Sequence, residues 1–258
     1  MKAKETAITI LTAIFGIAST YAINIYAGQG PVIGASLICL IGGLFFGNYA
    51  GVNNSGAFAG MSRRIALPSI EYTFLAGLIV GVLWIVLIKS YLGYGGKQGT
   101  IAFISVNISS LLLYFINPIN YFDPNVYSVI NATYVLMVVI FSAVGTVSTI
   151  ILREKVVQRA FKQNEAIIGA ALVGLLAGFL VPAIPIPYSS TLPAVIAAGS
   201  YAGMSSRTIL KRDLDFLIVG IITGVVFIIL LPVATAFGGK LGTSAFLSVI
   251  LWEKIRKQ

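Results

Sequence analysis

The chain has 258 residues, 58% of them hydrophobic and 10% charged, with 17 Lys and Arg against 8 Asp and Glu for a formal charge of +9. Soluble domains carry roughly a quarter of their residues as charges, so this composition excludes a soluble fold and predicts an all-α polytopic membrane protein, one transmembrane domain over residues 1–258. One cysteine, Cys39, and no histidine leave zinc, haem and Ser–His or Cys–His chemistry without their usual ligands and bases, so neither a cofactor nor a catalytic residue is expected and the chain reads as a non-enzyme.

The first apolar run, 7–27, has the outline of a signal peptide, but its FGIAST from Phe15 echoes VGTVST from Val144, inside a later run, and it is read as the first span. Runs at 31–48, 70–92 and 99–116 follow, with a weak stretch at 49–62 between the first two of these. The pattern then returns: runs at 126–152, 166–183, 214–235 and 242–253, with the weak stretch 189–205 in the matching place.

The return is a sequence repeat. Residues 56–106 set against 199–249, at a constant offset of 143 and with no gap, are identical at 22 of 51 positions. IGASLICLIGGLFFG from Ile33 also matches IGAALVGLLAGFLVP from Ile168 at an offset of 135, so the second copy has gained eight residues near IPIPYSST. Residues 1–118 form repeat 1 and 126–258 repeat 2, each of five segments.

Whether the weak stretches cross decides the topology. With ten spans and the N-terminus inside, 14 of the 17 Lys and Arg lie at the cytoplasmic side and only Arg63, Arg64 and Lys240 outside; with eight spans and two re-entrant segments the split falls to 10 against 7. The positive-inside bias prefers ten, in a cell membrane (plasma or bacterial inner) with both termini cytoplasmic. It also accounts for the surplus of base, which forms no run suited to nucleic acid. An odd number of spans per copy makes the repeats inverted, although copies this similar also suit a parallel duplication. Five plus five spans in a chain of this length resembles, in size and span count alone, the small drug/metabolite transporters, and no residue role is taken from that likeness.

The weak stretches are the first candidate site. YAGVNNSGAFAGMS sets Asn53, Asn54 and Ser55 in a row before Gly56, Gly60 and Ser62, and its counterpart sets Ser189, Ser190 and Thr191 before Gly199, Ser200, Gly203 and Ser205. Broken, polar segments at matching places in two halves mark a transport site; close helix packing through small residues is the alternative. Asn107 in the 99–116 run either joins Asn53 and Asn54 or binds a neighbouring helix. GGKQGT and GGKLGT, with Lys97, Thr100, Lys240 and Thr243, suit either an anion at a helix start or a tight turn with the threonines as N-caps. Gly77/Gly81 and Gly220/Gly224 are GxxxG faces, expected to join the two halves or two protomers. The carboxylates fall at helix ends, Asp213 among them as an expected cap, and none is expected at mid-membrane, which disfavours proton coupling. The expected function is a transporter or channel for a small neutral or anionic solute, with the lipid bilayer as partner; a non-catalytic subunit of a larger membrane complex is the alternative.

Overall fold

The computed structural model describes residues 3–114, 118, 121–161 and 163–257, and the regular structure among them is helical, with one isolated bridge between Phe122 and Val233. The first half holds α1 (Ala3–Tyr21), α2 (Pro31–Phe45), α3 (Ala50–Ala59), α4 (Glu71–Leu87) and α5 (Lys97–Leu112). The second holds α6 (Ala132–Leu152) with its short extension α7 (Gln158–Ala160), then α8 (Glu165–Leu180), α9 (Leu192–Gly203), α10 (Asp213–Ile229) and α11 (Lys240–Lys257). Three helical stretches are long and apolar enough to cross a membrane, Ala3–Tyr26, Ala132–Ala160 and Glu165–Ala183; α2, α4 and α9 are shorter apolar helices. Large apolar side chains also cover the outside, with Leu11, Phe45, Val86, Leu136 and Phe179 all more than half exposed. An outer surface of this kind suits lipid rather than water.

Local chemistry sets the helix ends. Pro31 opens α2 at a position where its missing N–H costs nothing, and Asn131 caps α6 by accepting from the Tyr134 N–H at 2.9 Å. The start of α10 is held by Asp215, fully buried, which accepts from the backbone N–H groups of Lys211 and Arg212 at 3.0 Å and from Arg256 at 2.7 Å. Asp213, the expected cap, instead pairs with Arg207. Thr100 and Thr243 are not caps either: each bonds back to a glycine carbonyl one turn earlier, and the residue preceding α5 is Gly96 in a left-handed conformation.

The two halves pack alike. A β-carbon on Gly56 of α3 would overlap the Ala13 carbonyl oxygen of α1, and one on Gly199 of α9 would overlap the Ser142 carbonyl oxygen of α6. Only glycine permits backbones to approach this closely. Gly77 and Gly81 meet Ile14 and Ile10 of α1, and Gly220 and Gly224 meet Ala143 and Val139 of α6. Both GxxxG faces therefore pack inside their own half, each against that half's first helix, rather than joining the two halves. These contacts run α1 parallel to α3 and antiparallel to α4, and α6 parallel to α9 and antiparallel to α10.

Between the halves, α2 and α8 lie antiparallel: Gly43 meets Ile168, and Gly178 meets Ile33. The starts of α5 and α11 also cross antiparallel, Gly96 against Gly242 and Phe246, Gly239 against Gly99 and Phe103. Each pair of contacts is its own reciprocal under the sequence offsets. The backbone bonds follow suit, with Gly95 N–H donating to Ser205 Oγ and Gly238 N–H to Ser62 Oγ, both at 3.0 Å.

Candidate functional site

The weak segments do meet, through aromatic rather than polar residues. Phe58 near the end of α3 and Tyr201 near the end of α9 have ring centroids 4.2 Å apart. Around them Ser36, Cys39, Asn54, Ile167, Ala170 and Ala171 enclose a gap with no room for a water-sized sphere. The centre of the molecule is closed in this conformation.

The polar clusters that the sequence sets side by side are kept apart. Asn53, Asn54 and Ser55 are fully buried in α3, where Asn53 Nδ2 donates to the Ile38 carbonyl at 2.9 Å and Ser55 Oγ to the Gly51 carbonyl at 3.3 Å. Ser189, Ser190 and Thr191 lie in the turn before α9, half-buried to exposed. The true counterparts of 53–55 are Ile196, Ala197 and Ala198, because the second half places its extra residues in the connection before α9. Asn107 donates to Phe103 on its own helix and so joins neither cluster. Ser200 bonds to the Ala197 carbonyl, Gly60 abuts Ile17 and Gly203 abuts Thr146, while Ser62 and Ser205 carry the inter-half bonds described above.

Lys97 and Lys240 share one structural task. Lys97 Nζ donates to the carbonyls of Ile88 and Ser90, both at 2.8 Å, and Lys240 Nζ to those of Leu230, Leu231 and Val233 at 3.0–3.3 Å. Each lysine thus satisfies orphan carbonyls past the end of the preceding helix. A second matched pair latches the ends of α3 and α9. Asn24 and Arg153, each in a π-turn extending the first helix of its half, reach the same two carbonyls: Gly60 and Ser62 at 3.4 and 3.1 Å, Gly203 and Ser205 at 3.2 and 2.7 Å. Around Arg153 the charges continue, Glu154 holding Arg207 at 2.7 Å and Arg207 holding Asp213 at 2.7 Å.

The open space lies elsewhere. A vestibule of about 390 Å³ sits between the α4–α5 connection and the start of α8, lined by Trp84, Tyr91, Tyr94, Lys97, Gln98, Asn164, Glu165, Ile167 and Met204 among others. Its inner end is Gln98, whose Oε1 accepts from Asn54 Nδ2, and Ile167, which also walls the closed central gap. Tyr94 donates to Glu253, a bond that pushes its phenol up to about 12. At the matching position across the molecule there are Phe227, Ala234, Phe237, Lys240, Leu241, Gln29 and Gly30, and there the linker between halves packs down. The Ala234 N–H donates to the Tyr121 carbonyl at 2.7 Å, the Asp123 N–H to the Pro232 carbonyl at 2.9 Å, and the Tyr121 and Phe237 rings lie 5.2 Å apart.

Of the vestibule residues, Gly95, Gly96, Lys97 and Gln98 fall in a repeated motif, GGKQGT, and Gln98 is its variable position. Trp84, Tyr91, Tyr94 and Glu165 belong to no motif; their signal, like that of Gln98, is that they differ in polarity or size from their partners in the other repeat. Comparison with protein-family models, curated proteins and solved structures finds no match to this chain.

Proposed function

We propose that the chain is an integral membrane transporter for a small neutral or anionic solute, an inverted repeat of five plus five crossings, held here with its vestibule open to one side and its centre closed. The observation that carries this reading is the vestibule, which leads inward to the Gln98–Asn54 pair and stops one residue, Ile167, short of the gap between the halves. Inverted-repeat transporters put the solute site where their halves meet, near the midplane.

Helix direction supports ten crossings over eight. A re-entrant α3 would have to turn back, whereas this helix runs straight on, parallel to α1, and α4 returns antiparallel. Contacts between connections fall into two sets consistent with that alternation. Asn164 with Gly43 and Gly47, Ser206 with Gly93, and Tyr94 with Glu253 make one face; Arg63 with Ala236, Asp123 with Pro232, and Asn131 with Tyr188 make the other. Of the 15 Lys and Arg among the described residues, all but Arg63, Arg64 and Lys240 fall to the first face, which makes it cytoplasmic in our reading and puts both termini there. The antiparallel α2–α8 and α5–α11 crossings favour inverted over parallel copies, since a two-fold axis along the membrane normal would leave matched helices parallel.

The packed centre favours a second reading, in which the protein is a non-catalytic subunit of a larger complex and conducts nothing. Cys39 separates the two, because it is the sole cysteine and borders the central gap, fully buried. If the protein alternates between states, a water-soluble thiol reagent labels Cys39 in the native protein, and a transported solute changes the labelling rate. Labelling only after denaturation, together with no flux of neutral solutes or small anions in proteoliposomes, would overturn transport.

A further inference from the structure

The two repeats are an internal control: what both keep is needed by the fold, and what one side alone carries needs another explanation. At the vestibule the kept residues are Lys97 and the glycines around it, with Lys240 and its glycines opposite. Trp84, Tyr91, Gln98 and Glu165 face Phe227, Ala234, Leu241 and Gly30 at the matched positions. The same turns, the same left-handed residue (Tyr91 at φ 50°, Ala234 at φ 47°) and the same lysine tie form without them.

We infer that this vestibule recognises a small zwitterion, a molecule with an ammonium at one end and a carboxylate at the other, an inference that rests on the transport reading above. The wall contributed by α8 carries Glu165, and the wall contributed by the α4–α5 connection carries the rings of Tyr91 and Tyr94, exposed and half-buried respectively. A carboxylate beside aromatic faces is the chemistry that holds an ammonium. On the same wall as the tyrosines, Lys97 ties two neutral carbonyls and stands 5.9 Å from the Trp84 ring centre, and Gln98 retains its Nε2 donors because Asn54 occupies its Oε1. Those donors suit a carboxylate. A simple cation would meet the Lys97 ammonium, which rests against two carbonyls and the Trp84 ring, and a simple anion would meet Glu165, whose charge also reaches Arg153. A solute bearing both charges satisfies both walls and stays net neutral.

Equilibrium binding to the purified protein in lipid nanodiscs tests this without requiring flux. The probes are alanine and glycine betaine as zwitterions, with propionate, ethylamine and N-acetylalanine as their single-charge counterparts. We expect the zwitterions to bind at least ten-fold more tightly than any counterpart. Glu165→Gln should remove most of that preference, and Glu165→Asp should restore it in part with unchanged thermal unfolding. Equal binding of propionate or N-acetylalanine, or binding of none of the probes, overturns the inference; the ligand comparison stands even if the Gln variant does not fold. A zwitterion that binds while Cys39 stays unreactive would sink transport and keep the site, whereas solute-free labelling of Cys39 with no zwitterion binding would do the reverse.

Discussion

Lys97 and Lys240 make the same tie in the two halves, yet the next residue is Gln98 beside one and Leu241 beside the other. That contrast runs through the whole molecule. Backbone-to-backbone contacts, helix-end ties and the serine bridges recur in both halves, because each half must bury the same helix stripe without leaving amides unpaired. The vestibule wall and its opposite number share the scaffold and differ in decoration: aromatic, amide and carboxylate groups line an open space on one side, and apolar side chains lie under the inter-half linker on the other. Architecture is thus separable from chemistry inside a single chain, and substitutions can be sorted by which of the two they disturb.

The largest expected effect falls on the shared architecture. Gly56→Leu and Gly199→Leu each drive a side chain into a carbonyl of the neighbouring helix, Ala13 in one half and Ser142 in the other. Each should exceed the about 1–3 kcal/mol usual for overpacking, and the two losses should be similar when read by thermal unfolding in detergent. A large loss in one half beside a negligible one in the other would break the equivalence.

Next come the latches, where the halves share geometry and differ in charge. Arg153→Ala removes charge-assisted bonds to two buried carbonyls, worth roughly 1.5–3 kcal/mol, while Asn24→Ala removes neutral bonds worth about 0.5–1.5 kcal/mol. Denaturant unfolding of the two variants should rank them in that order. An Asn24→Ala cost equal to that of Arg153→Ala would mean that the guanidinium adds nothing beyond its shape.

Much of this frame is legible in the sequence. The ten segments each contain a helix, and the 143-residue offset aligns residues that make matching contacts. The site was harder to read for a physical reason. Polar residues in a membrane-type sequence are equally consistent with lining and with packing, and Asn53, Ser55 and Asn107 all spend their donors on nearby backbone. Ser189–Thr191 match Asn53–Ser55 in polarity but not in position, because the inserted residues set the second cluster in a half-buried to exposed turn. The vestibule residues are scattered over 84–98, 164–167 and 204, and only tertiary packing brings them together. Departures from the repeat, rather than its identities, are the part of the sequence that marks them.

Tyr91→Ala is the smallest change in stability and the sharpest test of that idea, because it gives the vestibule the residue its counterpart already has. Tyr91 is 54% exposed and touches Tyr94 and Phe246 at ring distances of 5.4 and 5.1 Å. Losing those edge contacts should cost about 1 kcal/mol or less. The left-handed backbone is no obstacle, since Ala234 adopts the same conformation at the matched position. Thermal unfolding should therefore move by only a few degrees, while zwitterion binding should weaken several-fold through loss of an aromatic face beside the ammonium. If binding is untouched, the solute does not rest against this wall and the asymmetry of the halves has another cause. If unfolding collapses instead, Tyr91 belongs to the architecture after all, and the line drawn between the two kinds of residue must move.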